Sequence, residues 1–378
     1  MSGEIRVLWL TKGLGRGGAE RLLVSSAEHR DRSRFVVEVA YLLPWKDALV
    51  GELQQAGVPV RCMGQRWTLD YRWVLRLHRS LRAGGIDIVH THMPLAAVGA
   101  RLATLGTGVK VVHTEHNMWD RYRTPTRWAN AVTYRRNAAV IAVSQAVADT
   151  IGSRWMPAGD TVRVVYHGID QPSLALTRDD AAVASDRLRA REVLGLPQDA
   201  FVVGTVGNLT PKKDHAGLLD AFAEVRRHHP ESHLVLVGDG PLREVMADRS
   251  SRPDLLGSVH LTGQRDDVRS LLPALDVFVL SSRFEGLSIA LVEALAAGLP
   301  SVVTSVGGIT EVVTHEREAL VVPPSDPTAL AAALVRLAED PAARTRMSAA
   351  ARQRATVFDI ERATREIEAV YAGLMVMQ

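Results

Sequence analysis

Two glutamates, Glu285 and Glu293, stand eight positions apart across a stretch where an apolar run of strand type, Asp276 to Leu280, gives way at Gly286 to a helical pattern. Ser288 is placed to cap that helix, with Gly298 and Pro300 to end it. At ~1.5 Å rise per residue, eight helical positions would hold the carboxylates ~12 Å apart. That is too far for one water or one metal ion, and it suits the two ends of an extended ligand. A nucleoside diphosphate sugar has about those dimensions.

Other residues with chemistry to offer lie at the ends of apolar runs. Gly207, Asn208, Lys212 and Lys213 follow one such run, and the lysines could neutralise a pyrophosphate. Gly238-Asp239-Gly240-Pro241 and Gly263-Gln264 form tight turns after the next two runs, so all three loops are expected on one ligand-binding edge. Near the N-terminus, Gly13 to Gly18 satisfies G-x-G-x-x-G between a strand and a helix. As an NAD fingerprint this is weak, because the expected acid, Glu38, falls inside the second strand. It supports something narrower, bare N–H groups of Gly17 and Gly18 that can approach a phosphate. His90-Thr91-His92 and His113-Thr114-Glu115-His116-Asn117 end two further runs. Neighbouring residues on a strand face opposite sides and no third ligand is evident, so a metal site is not expected. His90 and His113 are expected to be structural and His116 to reach the open edge. His228 and His229 close a helix and receive no role.

These residues need elements to hold them. Thirteen apolar runs of strand length alternate with helical patterns, seven before residue 170 and six after a charged, structureless-looking segment at 171–186. The expectation is two doubly wound α/β domains with a cleft between them. The bounds are an N-terminal domain at 1–170, a linker at 171–190, a C-terminal domain at 191–350, and a helical segment at 351–378 that crosses back to the first. Cys62 is the single cysteine, so no disulfide forms within the chain. Signal-peptide layout is missing and no apolar run approaches the ~18 residues of a membrane span, which predicts a cytoplasmic protein. The charge is lopsided: residues 1–170 carry 23 Lys+Arg against 14 Asp+Glu, and the remainder 22 against 28. Arginines interleave with aromatics at Arg66, Trp67, Tyr71, Arg72, Trp73, Arg76, Arg79 and Arg82, and again from Trp119 to Arg136. Such stretches suit an anionic membrane surface, or are ordinary helix faces with their rings in the core. Nucleic acid is not expected, because no binding motif accompanies the charge.

In their order, Gly17-Gly18-Ala19-Glu20, the His90–His92 strand end, Thr114-Glu115-His116, Ala142-Val143-Ser144, His167-Gly168-Ile169-Asp170, Gly207 to Lys213, Gly238 to Pro241, and Glu285 with Glu293 resemble the retaining glycosyltransferases of family 4, which have the GT-B fold. The resemblance spans nearly the whole chain. It implies transfer of a sugar from a nucleotide-sugar donor to a glycan or lipid-linked acceptor, without metal and with retention of configuration, in cell-surface polysaccharide or glycolipid synthesis. It further implies that Glu293 holds the ribose and Glu285 the hydroxyls of the transferred sugar, with Gly286, Leu287 and Ser288 beside them. Lys213 would contact the pyrophosphate with the Gly17 and Gly18 amides, while Gly263 and Gln264 hold the base. His116 would line the reacting centre, with His92 and Asn117 on the acceptor side. Asn208 stands where the family usually has arginine, which removes one phosphate-binding cation. A nucleotide-sugar epimerase of the same fold, or a protein that binds the donor without turnover, would share the donor residues.

Overall fold

The structure is a computed structural model that describes residues 4–64, 70–152, 162–170 and 180–376. Among these residues the expected strands all form. The first sheet comprises β1 (Ile5–Thr11), β2 (Phe35–Tyr41), β3 (Val60–Cys62), β4 (Ile88–Thr91), β5 (Lys110–Glu115), β6 (Ala139–Ala142) and β7 (Arg163–Val164), in the order β3-β2-β1-β4-β5-β6-β7. The second comprises β8 (Val202–Val206), β9 (His233–Val237), β10 (Val259–Gly263), β11 (Val277–Leu280), β12 (Ser301–Thr304) and β13 (Ala319–Val322), in the order β10-β9-β8-β11-β12-β13. Every ladder is parallel. Sheets covered by helices on both faces bury both sides of each strand, which is why these strands read as unbroken apolar runs. Val277 to Leu280 are all buried, as are Val7, Leu8 and Leu10 of β1.

Each sheet reverses its order of growth once, at β1/β4 and at β8/β11. At such a switch point the loops leaving the carboxyl ends diverge to opposite faces and leave a crevice for a ligand. The glycine-rich loop and the His90–His92 strand end flank the first reversal. Gly207 to Lys213 and Ser281 to Glu293 flank the second.

The chain divides into two compact units, Met1–Asp170 with Asp359–Gln378, and Gln171–Phe358. Two sequence expectations need correction. From Asp180 onward the segment read as structureless is a helix, Asp180–Leu194, in which Arg187 and Arg191, one turn apart, both reach Asp276 at 2.7 and 2.9 Å. Residues 171–179 lie outside the described residues. The return to the first unit begins at Asp359 rather than 351, because the helix Pro341–Ala355 stays with the second unit, its Arg354 donating to the Val312 carbonyl at 2.8 Å. The returning segment passes Gly168 so closely that a Cβ there would lie 2.3 Å from the Asp359 and Ile360 backbone. Ile360 N–H then bonds the Ile169 carbonyl at 3.1 Å, and the C-terminal helix (Ile360–Val376) packs on the first helix (Gly18–His29).

Candidate active site

In the second unit the reversal brings two loops together. Lys212 and Lys213 end a short 3-10 turn after β8, and Glu285 follows β11. Lys213 Nζ lies 2.7 Å from Glu285 Oε1 and Lys212 Nζ 2.9 Å from Oε2, while Ser282 Oγ donates to Oε1 at 2.8 Å. Burial pushes the Glu285 carboxyl up, but Lys213 and then Lys212 outweigh it and hold it down at about 2. The lysine turn is tied to the same loop through its backbone. Arg283 N–H bonds the Lys212 carbonyl at 2.9 Å, the Ser281 hydroxyl bonds that of Lys213 at 2.9 Å, and the Arg283 guanidinium pairs with Asp214. A side chain at Gly207 would meet Lys213 at 3.1 Å, so the glycine leaves room for the lysine stem.

The neighbouring turns are stitched into one edge. Gly207 N–H bonds the Val237 carbonyl, Leu209 N–H that of Asp239, and Gly238 N–H that of Gly263, at 2.8–3.0 Å. Gly238, at φ 141°, passes the Gly207 carbonyl too closely for any Cβ. Gln264 and Asn208 are exposed along this edge. Ser288 caps the helix Ile289–Ala296 as expected, accepting from Leu291 N–H, and Glu293 lies within it, 3.6 Å from Arg269 Nε. Because Glu285 precedes the cap, only part of the interval to Glu293 is helical, and the ~12 Å rise worked out for a continuous helix does not apply.

The first unit carries two hydrogen-bond systems on opposite faces of β4 and β5. On one, Thr91 bonds His113 at 2.9 Å, His113 lies 3.5 Å from Glu115, and Glu115 accepts from Trp119 and Tyr122. Burial pushes the Glu115 carboxyl up, and its hydrogen bonds, His113 first, hold it below its usual range. On the other face, His90 Nε2 lies 2.7 Å from Thr114 Oγ1. His92 Nδ1 lies 3.3 Å from His116 Nε2, and His116 Nδ1 lies 3.1 Å from His167 Nε2. The His116 and His167 rings stack, with centroids 5.0 Å apart. Burial pushes His116 down to about 4, with Glu115 partly opposing and His113 adding to the effect. His92 and His167 are also held well below the usual histidine range, again through burial first. The ladder is therefore neutral at pH 7. The helix Gly18–His29 begins at Gly17, over which Glu20 folds, filling the space a Cβ would need.

Residues 16–171 match the family model described as Glycosyltransferase Family 4, and residues 186–354 the one described as Glycosyl transferases group 1. A D-inositol 3-phosphate glycosyltransferase of Saccharomonospora viridis is 30% identical over 330 residues, covering 80% of this chain and 73% of the relative. The chain belongs to the family 4 glycosyltransferases. Such an enzyme moves a sugar from a nucleotide-sugar donor to an acceptor. The UDP-Gal:alpha-D-GlcNAc-diphosphoundecaprenol alpha-1,3-galactosyltransferase of Escherichia coli is 27% identical over 307 residues, covering 79% of this chain and 78% of the relative. The crystal structure of Anabaena Alr3699/HepE in complex with UDP and glucose superimposes with a TM-score of 0.85 at 23% identity, over 98% of this chain and all of that one, and shares the GT-B fold.

Within the glycosyltransferase, Lys213 and Glu285 meet directly, whereas Glu293 lies in the helix Ile289–Ala296 and Gln264 in the bend that follows β10. His92 and His116 touch, and Asn117 is half-buried beside them. Sequence reading gave no role to His167, Ser282 or Tyr371. The first carried a signal, a histidine in the His-Gly-Ile-Asp motif; the other two carried none. Among the described residues no group of three or more His, Cys, Asp or Glu could hold a metal ion, and no helix is long and apolar enough to cross a membrane. The basic aromatic stretches divide. Trp73, Trp119 and Tyr134 are core residues, while Tyr71, Leu75, Trp128 and Val132 are exposed. Arg66 and Trp67 lie outside the described residues.

Proposed function

We propose that this glycosyltransferase acts with retention of anomeric configuration on a glycan or lipid-linked acceptor, in cell-surface polysaccharide or glycolipid synthesis. The observation that carries the donor half is the Lys212–Glu285–Lys213 cluster at the β8/β11 reversal. As the diphosphate leaves, negative charge builds on its oxygens, and cations already held in place stabilise it without reorganising. Lys213 is the pyrophosphate contact of the second unit, and the Gly17 and Gly18 amides are the phosphate-binding groups of the first. Lys212 offsets the charge missing at Asn208. Glu285 keeps both ammonium groups oriented as well as meeting the sugar hydroxyls. Glu293 anchors the ribose, Gly263 and Gln264 the base, and Gly286, Leu287 and Ser288 border the sugar. His116, with His92 and Asn117 beside it, faces the transferred sugar and acceptor. The departing phosphate takes the acceptor proton.

The exposed residues Leu75, Trp128 and Val132 sit on helices that also bear Arg72, Arg79 and Arg127, with exposed Tyr71 at the N-cap of the first, which supports docking of the first unit on an anionic membrane surface. A lipid-linked acceptor fits that placement. The E. coli relative's name points to such an acceptor for that protein.

The test of the donor half is calorimetric. Lys213→Ala and Glu293→Gln should each weaken nucleotide-sugar binding roughly 10- to 100-fold, the worth of a charged hydrogen bond. Unchanged affinity in either variant defeats the assignment. Thermal shifts with UDP-, GDP- and ADP-sugars identify the donor base, since binding to the native state raises apparent stability.

A further inference from the structure

Tyr371, on the C-terminal helix, is 1% exposed and meets two side chains with its hydroxyl, Trp9 Nε1 at 3.2 Å and His90 Nδ1. An indole N–H can only donate. The Tyr371 oxygen therefore accepts from Trp9, and the one acceptor its own buried proton meets is His90 Nδ1; a protonated Nδ1 would leave that hydroxyl proton unbonded, so the satisfied arrangement has Nδ1 bare. A neutral imidazole with a bare Nδ1 carries its proton on Nε2, and that N–H donates to Thr114 Oγ1 at 2.7 Å. The row Trp9–Tyr371–His90–Thr114 thus has one hydrogen-bond sense that leaves no proton between its members unbonded.

His90 is not itself part of the histidine ladder, but it seats the ladder's first member. The His90 and His92 rings lie 4.3 Å apart between centroids, and His92 in turn contacts His116, which stacks on His167. The same returning segment that carries Tyr371 begins against Gly168, the residue after His167. It therefore touches the ladder's supports at both ends. The Tyr371–His90 contact joins residues 281 positions apart, so the C-terminal helix completes the first unit's histidine site.

We propose that Tyr371 is a positioning residue for His116, acting by locking the Nε2–H tautomer and ring position of His90. This rests on the reading that His116 faces the transferred sugar. Tyr371→Phe keeps the ring, including its edge contact with Phe35, and deletes only the proton that enforces the lock. In 15N-histidine-labelled full-length protein, His90 should show a protonated Nε2 and a bare Nδ1. In Tyr371→Phe that preference should relax. The variant's kcat should fall roughly three- to tenfold with donor KM unchanged, the worth of one neutral hydrogen bond. In a His116→Ala background the same substitution should have no further effect, because both changes act through one residue. Trp9→Phe, which removes the donor that orients the Tyr371 hydroxyl, should relax the His90 tautomer by a second route. A protonated Nδ1 on His90 in the parent protein overturns the proposal, as does a full additional loss in the His116→Ala background. If His116→Ala alone left kcat unchanged, the role of His116 would fall, a failure separate from the His90 spectrum.

Discussion

Replacing Glu285 with glutamine removes a charge from between two lysines and keeps the side chain's size and its acceptor for Ser282. The carboxyl is 4% exposed and sits at about 2 in the folded protein, against 4.5 for the free group. That difference corresponds to ~3 kcal/mol of stability at pH 7. The half-buried Lys212 can swing into water once unpaired, which trims the expected loss to ~2–3 kcal/mol. The sign follows from a depressed folded value: the contribution is complete above pH ~5 and is lost as pH falls from 4.5 towards 2. A glutamine resembles the protonated acid, so the two proteins should converge in acid, the gap narrowing by ~1 kcal/mol between pH 5 and pH 3.5. Urea unfolding is the assay, followed by circular dichroism for the whole chain and by tryptophan fluorescence for the first unit. All seven tryptophans precede residue 171, so the second unit is silent in fluorescence. The variant's dichroism midpoint should drop by ~1 M at pH 7. Equal midpoints at pH 7, or a gap that stays constant into acid, would refute the claim that the lysine pair stabilises a buried carboxylate.

Two further outcomes follow from the first unit. Burial holds His116 at about 4, so it is neutral from pH 7 down to pH ~5, and the acid limb of kcat should fall near 4 rather than near the 6.5 of a free imidazole; a limb centred at 6.5 in the parent enzyme contradicts the neutral ladder. Anionic liposomes should sediment the protein at low salt and release it at high salt, with Trp128→Ala weakening the effect, and a protein left in the supernatant at low salt makes these residues ordinary surface.

The strands were legible because parallel strands buried on both faces leave unbroken apolar runs, and Val277 to Leu280 could hardly be anything else. Ser288 was legible for a local reason too, since a cap and the N–H it accepts lie three residues apart. Distances along a strand-to-helix turn were not, because Glu285 stands before the cap and the helical rise does not extend to it. The helix from Asp180 escaped notice because its charged residues carry no apolar stripe; the partner that orders Arg187 and Arg191 is Asp276, more than eighty positions on. Tyr371 is the extreme case. Nothing near it in sequence marks it as more than a core aromatic, and its role is created by the topology that brings the last helix against β1 and β4.

The two units divide the chemistry by charge. At the β8/β11 reversal the groups are ionised, two ammonium ions around a carboxylate, which is what a departing diphosphate requires. At the β1/β4 reversal and along the adjoining strand β5, a face of four histidines is held neutral by burial. A neutral imidazole presents one donor and one acceptor, and an imidazolium presents donors only. Burying the ladder therefore does more than suppress a charge: it preserves acceptor nitrogens, which lets His116 bond His92 through Nε2 and His167 through Nδ1. In the role proposed for it, Tyr371 sets the hydrogen-bond sense of the histidine on which His92 rests.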